Sequence, residues 1–147
     1  MKPEAFIVTP ENYTKPLSVL GVDITVLAAA SQTGGYQITI QAGAEGVGPP
    51  PHHHEWDESF FVLEGTVDLS CNGTPHHCRP GSLIHVPAGT VHSFQYGPGG
   101  GKMLEITSAG STAIEAFTAI DREIPPGPPD IPKLIELFGR HGVIFEK

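Results

Sequence analysis

Two histidines and a glutamate, His52, His54 and Glu58, have the types and spacing of metal ligands. Side chains on an extended strand alternate between its faces, so His52 and His54 project the same way and His53 projects to the other side. A turn at residues 56–57 would bring Glu58 to the face that carries the two histidines. Imidazole and carboxylate ligands suit one divalent transition metal, Fe, Mn, Ni, Co, Cu or Zn, better than they suit Mg or Ca.

A second run, residues 81–92 with the sequence GSLIHVPAGTVH, supplies His92 as a further candidate ligand. Three adjacent histidines at positions 52–54 could instead be a polar cluster on a loop, and lone histidines are more often solvated or structural. His76 and His77 lie in a polar hairpin stretch and are predicted to be solvated. His85 is predicted to face away from the apolar side of its strand. The presence of the second run favours a metal site at His52, His54, Glu58 and His92.

The two runs resemble the two signature motifs of the cupin superfamily. The first motif is a Gly, five residues, His-x-His, three or four residues, Glu, six residues and Gly. The second is a Gly, five residues, Pro-x-Gly, two residues, His, three residues and Asn. The positions that match are Gly46, His52, His54, Glu58 and Gly65 in the first motif and Gly81, Pro87, Gly89 and His92 in the second. Tyr96 stands where the Asn is expected. Because that Asn is not a metal ligand in the family, the difference concerns packing and pocket shape.

The resemblance implies an all-β fold, a double-stranded β-helix or jelly-roll barrel followed here by short C-terminal helices. At 147 residues the chain is too short for two such barrels, so residues 1–147 are expected to form one domain. The barrel core is expected over about residues 20–108, and a helical, proline-rich segment over about residues 111–147.

The spacing of short strands between glycine and proline turns also predicts an all-β sandwich or barrel. Residues 20–26 and 36–41 alternate apolar and polar side chains, which predicts strands with one buried and one wetter face. Further strands are predicted at residues 59–63, 66–71, 83–86, 91–96 and 103–107. Asn72-Gly73 predicts a tight hairpin, and the glycine run at 97–101 predicts a mobile loop.

The last forty residues have a helical pattern. Thr112 and Glu115 have capping-box spacing, and an apolar stripe predicts a helix from Thr112 to Asp121. Prolines between 125 and 129 predict an extended linker. Asp130 can cap a second helix that runs through Phe138. Its predicted apolar face consists of Leu134, Ile135, Leu137 and Phe138.

The composition narrows the class of partner. Eight basic residues stand against 16 acidic ones, giving a formal charge of −8 without a basic cluster, which argues against nucleic acid and anionic membranes. A small-molecule partner fits better.

The hairpin register would pair Cys71 with Thr74 and place Cys78 opposite Val67, so both thiols are expected to be free. Free thiols and no evident secretory signal point to the cytoplasm.

The site residues suggest metal-dependent chemistry in an apolar pocket. Side chains an even number of residues apart on a strand point to the same face. On this basis Phe60 and Val62 face the same side as Glu58, and Phe94 faces the same side as His92. These three residues are predicted to line a substrate pocket together with Tyr96. Glu58 can act as both ligand and base, the role that the corresponding Glu is assigned in quercetinase-like cupins. Glu105, on the strand after the second motif, could enter the barrel, but it is expected to be solvated.

The function that this resemblance favours is a metal-dependent dioxygenase acting on a small hydroxylated, flavonol-like aromatic substrate. Two alternatives stay open, because a fold does not fix a function. One is a metal-bearing module that binds or senses a small molecule without turnover, and the other is a metal-dependent isomerase or lyase. A homodimer is expected, since small cupins commonly pair through an outer sheet face.

Overall fold

The computed structural model of the chain describes residues 3–147, whose strands form one nine-stranded antiparallel sheet. The strands are β1 Leu17–Val19, β2 Val22–Ala28, β3 Gln37–Gly43, β4 His52–His53, β5 Glu58–Cys71, β6 Thr74–Cys78, β7 Leu83–Val86, β8 His92–Thr107 and β9 Ile144–Phe145. The helices are α1 Ala30–Thr33, α2 Ala113–Glu123 and α3 Ile131–Arg140, with a 3-10 turn at Pro10–Asn12. The short helix α1, between β2 and β3, was not predicted.

Two long strands, β5 and β8, hold the sheet together. The first half of β5 pairs with β7 and with the second half of β8, and the second half of β5 pairs with β6 and with the first half of β8. The second half of β8 also pairs with β3, which continues through β2 to β1. This curled antiparallel sheet confirms the predicted all-β jelly roll.

The predicted breaks inside these two strands are wrong. Residues 59–63 and 66–71 belong to the single strand β5, and the glycine run 97–101 lies within β8. Register shifts near Gly65 bend β5 without ending it. A Cβ atom on Gly65 would lie 2.1 Å from the carbonyl oxygen of Gly100, and one on Gly101 would lie 2.8 Å from the Tyr96 ring. These glycines therefore permit close packing where the barrel turns, and they do not form a mobile loop.

Strand β3 faces the opposite way from what its apolar pattern suggests. Gln37, Thr39 and Gln41 are buried, whereas Ile38 and Ile40 lie half-buried on the outer face of the sheet. Polar side chains can face a barrel interior only where they find partners or line a cavity. Thus β3 directs a polar row toward the inside of the barrel.

The hairpin between β5 and β6 matches its prediction. Asn72 and Gly73 both have positive φ angles, 49° and 81°, as a type I′ turn requires. Cys71 pairs with Thr74 and Val67 pairs with Cys78, and both thiols are free.

The first C-terminal helix forms where it was expected, but its capping differs. The Thr112 hydroxyl does not cap α2, because it donates to the carbonyl oxygen of His141. Instead, the side-chain oxygen of Gln37 accepts a hydrogen bond of 3.1 Å from the backbone N–H of Ile114. The inward Gln37 of β3 thereby anchors α2 on the barrel.

The second C-terminal helix is capped by Asp130, whose Oδ1 accepts a hydrogen bond of 3.2 Å from the Lys133 N–H. The buried residues of α3 are Leu134, Leu137 and Phe138. The prediction for Ile135 is wrong: it is 49% exposed, because it lies on the outer side of the helix. After α3 the chain returns as β9, which pairs with β4.

Within residues 3–147, no helix is long and apolar enough to cross a membrane.

Candidate metal centre

The candidate ligands come from the junction of β4, β5 and β8. His52 lies in β4 and pairs directly with His92 at the start of β8, with a distance of 4.3 Å between ring centroids. His54 directly follows β4, and Glu58 begins β5. The predicted alternation holds here, since His52 and His54 point into the barrel and His53 points outward.

The three inward histidines converge on one point. A ring nitrogen from each of His52, His54 and His92 lies within 4.8 Å of the other two, and all three side chains are buried. Among the described residues this is the only group of three or more such side chains that could hold a metal. The structure therefore brings the three predicted histidine ligands together.

The orientation of the three rings is fixed by the backbone. Each Nδ1–H donates to a carbonyl oxygen two residues away: His52 to Pro50 at 2.8 Å, His54 to Trp56 at 3.0 Å and His92 to Thr90 at 2.9 Å. When Nδ1 carries the proton, Nε2 is left with a free lone pair. This kind of backbone support is what orients metal-binding histidines in proteins.

Glu58 completes the cluster. Its Oε2 lies 2.7 Å from Nε2 of His54 and 3.2 Å from Nε2 of His92. A neutral imidazole with its proton on Nδ1 offers only an acceptor at Nε2, and a carboxylate oxygen is also an acceptor. Two acceptors at such a distance require a cation between them, either a proton or a metal ion. The residues therefore fit a divalent metal with three nitrogen ligands and one oxygen ligand.

Burial and charge set the protonation of these groups. Burial, together with the neighbouring His92, lowers the pKa of His52 to about 4. Burial opposes ionisation of Glu58, yet its contacts with His54 and His92, each of which needs a shared proton when no metal is bound, hold its pKa well below the usual range. Burial alone would lower the pKa of His92, but the hydrogen bond and charge of Glu58 raise it. A neutral His52 and an ionised Glu58 are the states in which these groups bind metals.

Glu105 is the main site residue that the sequence analysis missed. It was expected to be solvated, but it is buried beside Glu58, and the hydroxyl of Thr39 donates to its Oε1 at 2.9 Å. Burial, followed by the charge and hydrogen bond of Glu58, raises the pKa of Glu105 well above its usual range. Glu105 therefore keeps its proton and can donate it in a hydrogen bond to Glu58. The signal in the sequence was its spacing. Glu105 lies two residues after the inward Met103 on β8, and side chains two residues apart on a strand point to the same face.

An apolar cavity borders the cluster. His52, His54 and Glu58 line it together with Gln41 and Glu105. The apolar lining residues are Val19, Leu20, Val22, Ile24, Pro49, Trp56, Phe60, Phe94, Ala113, Phe117, Phe138, Val143 and Phe145. The indole of Trp56 stacks on the ring of His54 at 4.4 Å, with an interplanar angle of 8°.

The four predicted pocket residues divide into two pairs. Phe60 and Phe94 line the cavity, and their rings meet edge to face at 5.5 Å. Val62 and Tyr96 are fully buried and are not among its lining residues. The phenol of Tyr96 packs against Phe94 instead, at 5.6 Å.

The C-terminal segment closes one side of the cavity. Phe138 of α3, Val143 and Phe145 of β9 all line it, and Phe145 pairs with the ligand His52 across β4 and β9. The surface residue His53 makes a contact of 2.7 Å with Glu146, which fastens the end of the chain to the ligand strand. Sequence periodicity could not reveal that this segment reaches the metal centre.

The remaining predicted surface histidines lie outside the cluster. His77 contacts Asp68 at 2.6 Å and His85 contacts the hydroxyl of Ser59 at 2.9 Å, both in exposed positions, and His76 is exposed as well. Their positions agree with the predictions made for them.

Comparison with known proteins gives the following relationships. Residues 36–107 match the family model described as Cupin domain. Quercetin 2,3-dioxygenase of Bacillus subtilis (strain 168) is 36% identical over 72 residues, which are 48% of this chain and 21% of that protein. Dimethylsulfoniopropionate lyase DddW of Ruegeria pomeroyi is 35% identical over 71 residues, 47% of each chain. The matches thus span about half of one curated relative and a fifth of the other.

A solved structure extends the similarity in fold beyond the matched region. The RmlC-like cupin from Shewanella frigidimarina superposes with a TM-score of 0.67 and 17% identity. The superposition covers 78% of this chain and 99% of that one. At such low identity the likeness concerns the fold alone.

Proposed function

Because this chain belongs to the cupin superfamily and carries a buried three-histidine group able to hold a metal, we propose that it is a metal-dependent dioxygenase for a small hydroxylated, flavonol-like aromatic molecule. The observation that carries this proposal is the convergence of three Nε2 atoms and Glu58 at the wall of an apolar cavity. The similarity to a quercetin dioxygenase over 72 residues supports it.

The proposed cofactor is one divalent transition metal, Fe, Mn, Ni, Co, Cu or Zn, held by His52, His54, His92 and Glu58. Such an ion would supply a Lewis acid that acidifies a hydroxyl group of the substrate. Nitrogen-rich ligand sets favour these metals over Mg and Ca.

Glu58 is proposed as the catalytic base. Its depressed pKa favours the ionised form, and its side chain lines the cavity beside His52 and His54, where the substrate would bind. It would take the proton of that hydroxyl, leaving an electron-rich oxyanion that reacts with dioxygen. The buried cavity would hold the ring and exclude water from this anion.

The cavity lining supports a neutral substrate. Five aromatic side chains contribute to the lining: Trp56, Phe60, Phe94, Phe117 and Phe138, with Phe145 close to His52 as a sixth. No lysine or arginine of the described residues is among them. A carboxylate or phosphate group on the substrate would thus lack a cationic partner.

The test is dioxygen consumption. Protein loaded separately with Fe, Mn, Ni or Co is mixed with flavonols and other hydroxylated aromatic compounds, and oxygen uptake is recorded. The proposal predicts uptake with at least one metal and one substrate. If no metal form consumes dioxygen or releases a product while a small ligand still binds tightly, the protein is a binding or sensing module instead.

A lyase is the second candidate, favoured by the 35% identity to DddW over 47% of that protein. Proton abstraction by Glu58 would serve a β-elimination as well as an oxidation. Product release without oxygen uptake, measured in an anaerobic chamber with the same metal forms, distinguishes the lyase from the dioxygenase.

We also propose that the chain forms a homodimer through the outer face of its sheet. Phe61, Leu63 and Ile106 are each about two-fifths exposed there, and Leu83 is 67% exposed. Phe61 pairs with both Leu83 and Leu104, so these side chains form one continuous apolar row across three strands. Exposed apolar patches of this kind mark interaction surfaces.

A further inference from the structure

We infer that Gln41 determines which substrates fit the metal cavity, because its side-chain amide binds a second oxygen group of the substrate, away from the oxygen that reaches the histidine cluster. This inference rests on the proposed function of the metal centre and adds a recognition residue to it.

Gln41 differs from the other polar residues that β3 directs inward. The amide oxygen of Gln37 accepts hydrogen bonds from Ser111 and Ile114, and its amide nitrogen reaches Glu115. The hydroxyl of Thr39 donates to Glu105. Both side chains therefore have full structural roles. Gln41, in contrast, lines the cavity itself.

The amide of Gln41 is left with unused hydrogen-bonding capacity. Only 4% of Gln41 is exposed, and its amide lies near enough to Glu105 to lower the pKa of that carboxyl group, against the larger effects that raise it. A carboxamide can make up to about four hydrogen bonds, and burying it without partners costs free energy. Among residues 3–147, the side-chain polar atoms that are fully buried and have no hydrogen-bond partner are Trp56 Nε1, Tyr96 Oη and Thr107 Oγ1, and the amide atoms of Gln41 are not among them. It opens into the cavity, where a ligand can satisfy it.

The strand register gives the distance that the ligand spans. Glu58 pairs with Thr107 and Gln41 pairs with Met103, and these two partners lie four residues apart on β8. At about 3.3 Å per residue the two positions are about 13 Å apart along the strand, and the two side chains, which line the same cavity, leave a shorter gap between their polar ends. One aromatic ring with two oxygens on opposite or alternate carbons spans such a distance. Adjacent oxygens would both remain at the metal end.

The chemistry of the lining identifies the class of ligand. Apolar side chains, among them Val22, Ile24 and Phe60, line the same cavity as Gln41, and lysine and arginine are absent from the described lining. A carboxamide accepts and donates hydrogen bonds but carries no charge, so it suits a neutral hydroxyl and gives an anion no cationic partner. The substrate is therefore a neutral aromatic molecule with a second hydroxyl across the ring from the reacting one.

The test compares three probes that differ by one hydroxyl: phenol, resorcinol and hydroquinone. They are titrated by calorimetry into the full chain loaded with Zn²⁺, which has no redox chemistry, under anaerobic conditions. The variants are Gln41→Leu and Gln41→Met, which remove the amide at similar volume, and Gln95→Leu, an exposed glutamine on β8, serves as the control. Melting curves show which variants are folded. Two Gln41 variants are used so that the test can still be made if one of them does not fold.

We expect resorcinol or hydroquinone to bind the wild type about fivefold more tightly than phenol, the usual net effect of one hydrogen bond. That preference should fall below about twofold in the Gln41 variants and persist in the control. If the dihydroxy probe shows no preference in the wild type, or keeps it in both folded Gln41 variants, the inference is overturned and the proposed function stands. If none of the three probes binds, the aromatic substrate proposed above fails as well.

Discussion

The Nε2 atom of His54 lies 2.7 Å from Oε2 of Glu58, four residues further along the chain. Both side chains are buried. They meet because the chain leaves β4 at His53 and enters β5 at Glu58, turning once between the two strands. The same oxygen reaches His92 on β8. One carboxylate thus connects the ligands of two different strands, which is why Glu58 is central to the site.

Replacing Glu58 by Gln should separate metal binding from turnover. The substitution nearly preserves volume but removes the negative charge and the base, so we expect retained zinc or nickel with weaker affinity. Turnover of any substrate found for the wild type should drop by about 100-fold or more, the usual contribution of a general base. The control is Glu64→Gln, on the exposed part of β5. Wild-type kcat in folded, metal-loaded Glu58→Gln would exclude Glu58 as the base.

Docking of α3 on the barrel should contribute strongly to stability. Leu137 is buried and Ile135, two residues earlier on the same helix, is 49% exposed. Leu137→Ala should therefore cost about 2 to 5 kcal/mol through lost burial and a cavity, which corresponds to about 5 to 15 °C in Tm. Ile135→Ala should change Tm by much less. Equal, small shifts in both variants would mean that the C-terminal helix is not docked.

Charge on the outer sheet face should break the proposed dimer. Light scattering of the wild type should give twice the mass of one chain, and Leu83→Glu should give the mass of one chain, because a buried unpaired carboxylate opposes association. Ile135→Glu, on a different exposed surface, should stay dimeric. A monomeric wild type, or a Leu83→Glu variant that stays dimeric and folded, would contradict this interface.

Both cysteines should titrate as free thiols after unfolding, without any reductant. In the folded protein the reaction should be slow, because burial raises the pKa of both Cys71 and Cys78 and so reduces the fraction of reactive thiolate. Detection of fewer than two thiols in the unfolded, unreduced chain would contradict this expectation.

The sequence predicts the three-histidine group for two different reasons. Alternation along an extended strand places His52 and His54 on one face, whereas His92 was implied by the resemblance of the second run to a cupin motif. The same alternation misleads on β3, where apolar Ile38 and Ile40 face outward. Periodicity shows that a strand has two different faces, but the tertiary structure decides which face is inside.

Contacts between distant segments were not predictable for a related reason. Phe145 pairs with His52 across 93 residues of chain, and nothing in either local sequence indicates this. The glycines at 97–101 look like a loop by composition, yet the close approach of Tyr96 and Gly65 requires them in a continuous strand. Glycine signals a backbone without a side chain, and only the surrounding packing distinguishes mobility from close contact.

Anomalous X-ray scattering from crystals grown with Zn²⁺ or Ni²⁺ tests the proposed metal centre directly. We predict one strong peak per chain, about 2.1 Å from the Nε2 atoms of His52, His54 and His92, with a carboxylate oxygen of Glu58 at a similar distance. The peak should vanish in His92→Ala and remain in His53→Ala, whose side chain lies on the outer face of the same strand. A metal bound elsewhere, or a fully occupied peak in His92→Ala, would contradict the claim that these side chains form the metal centre.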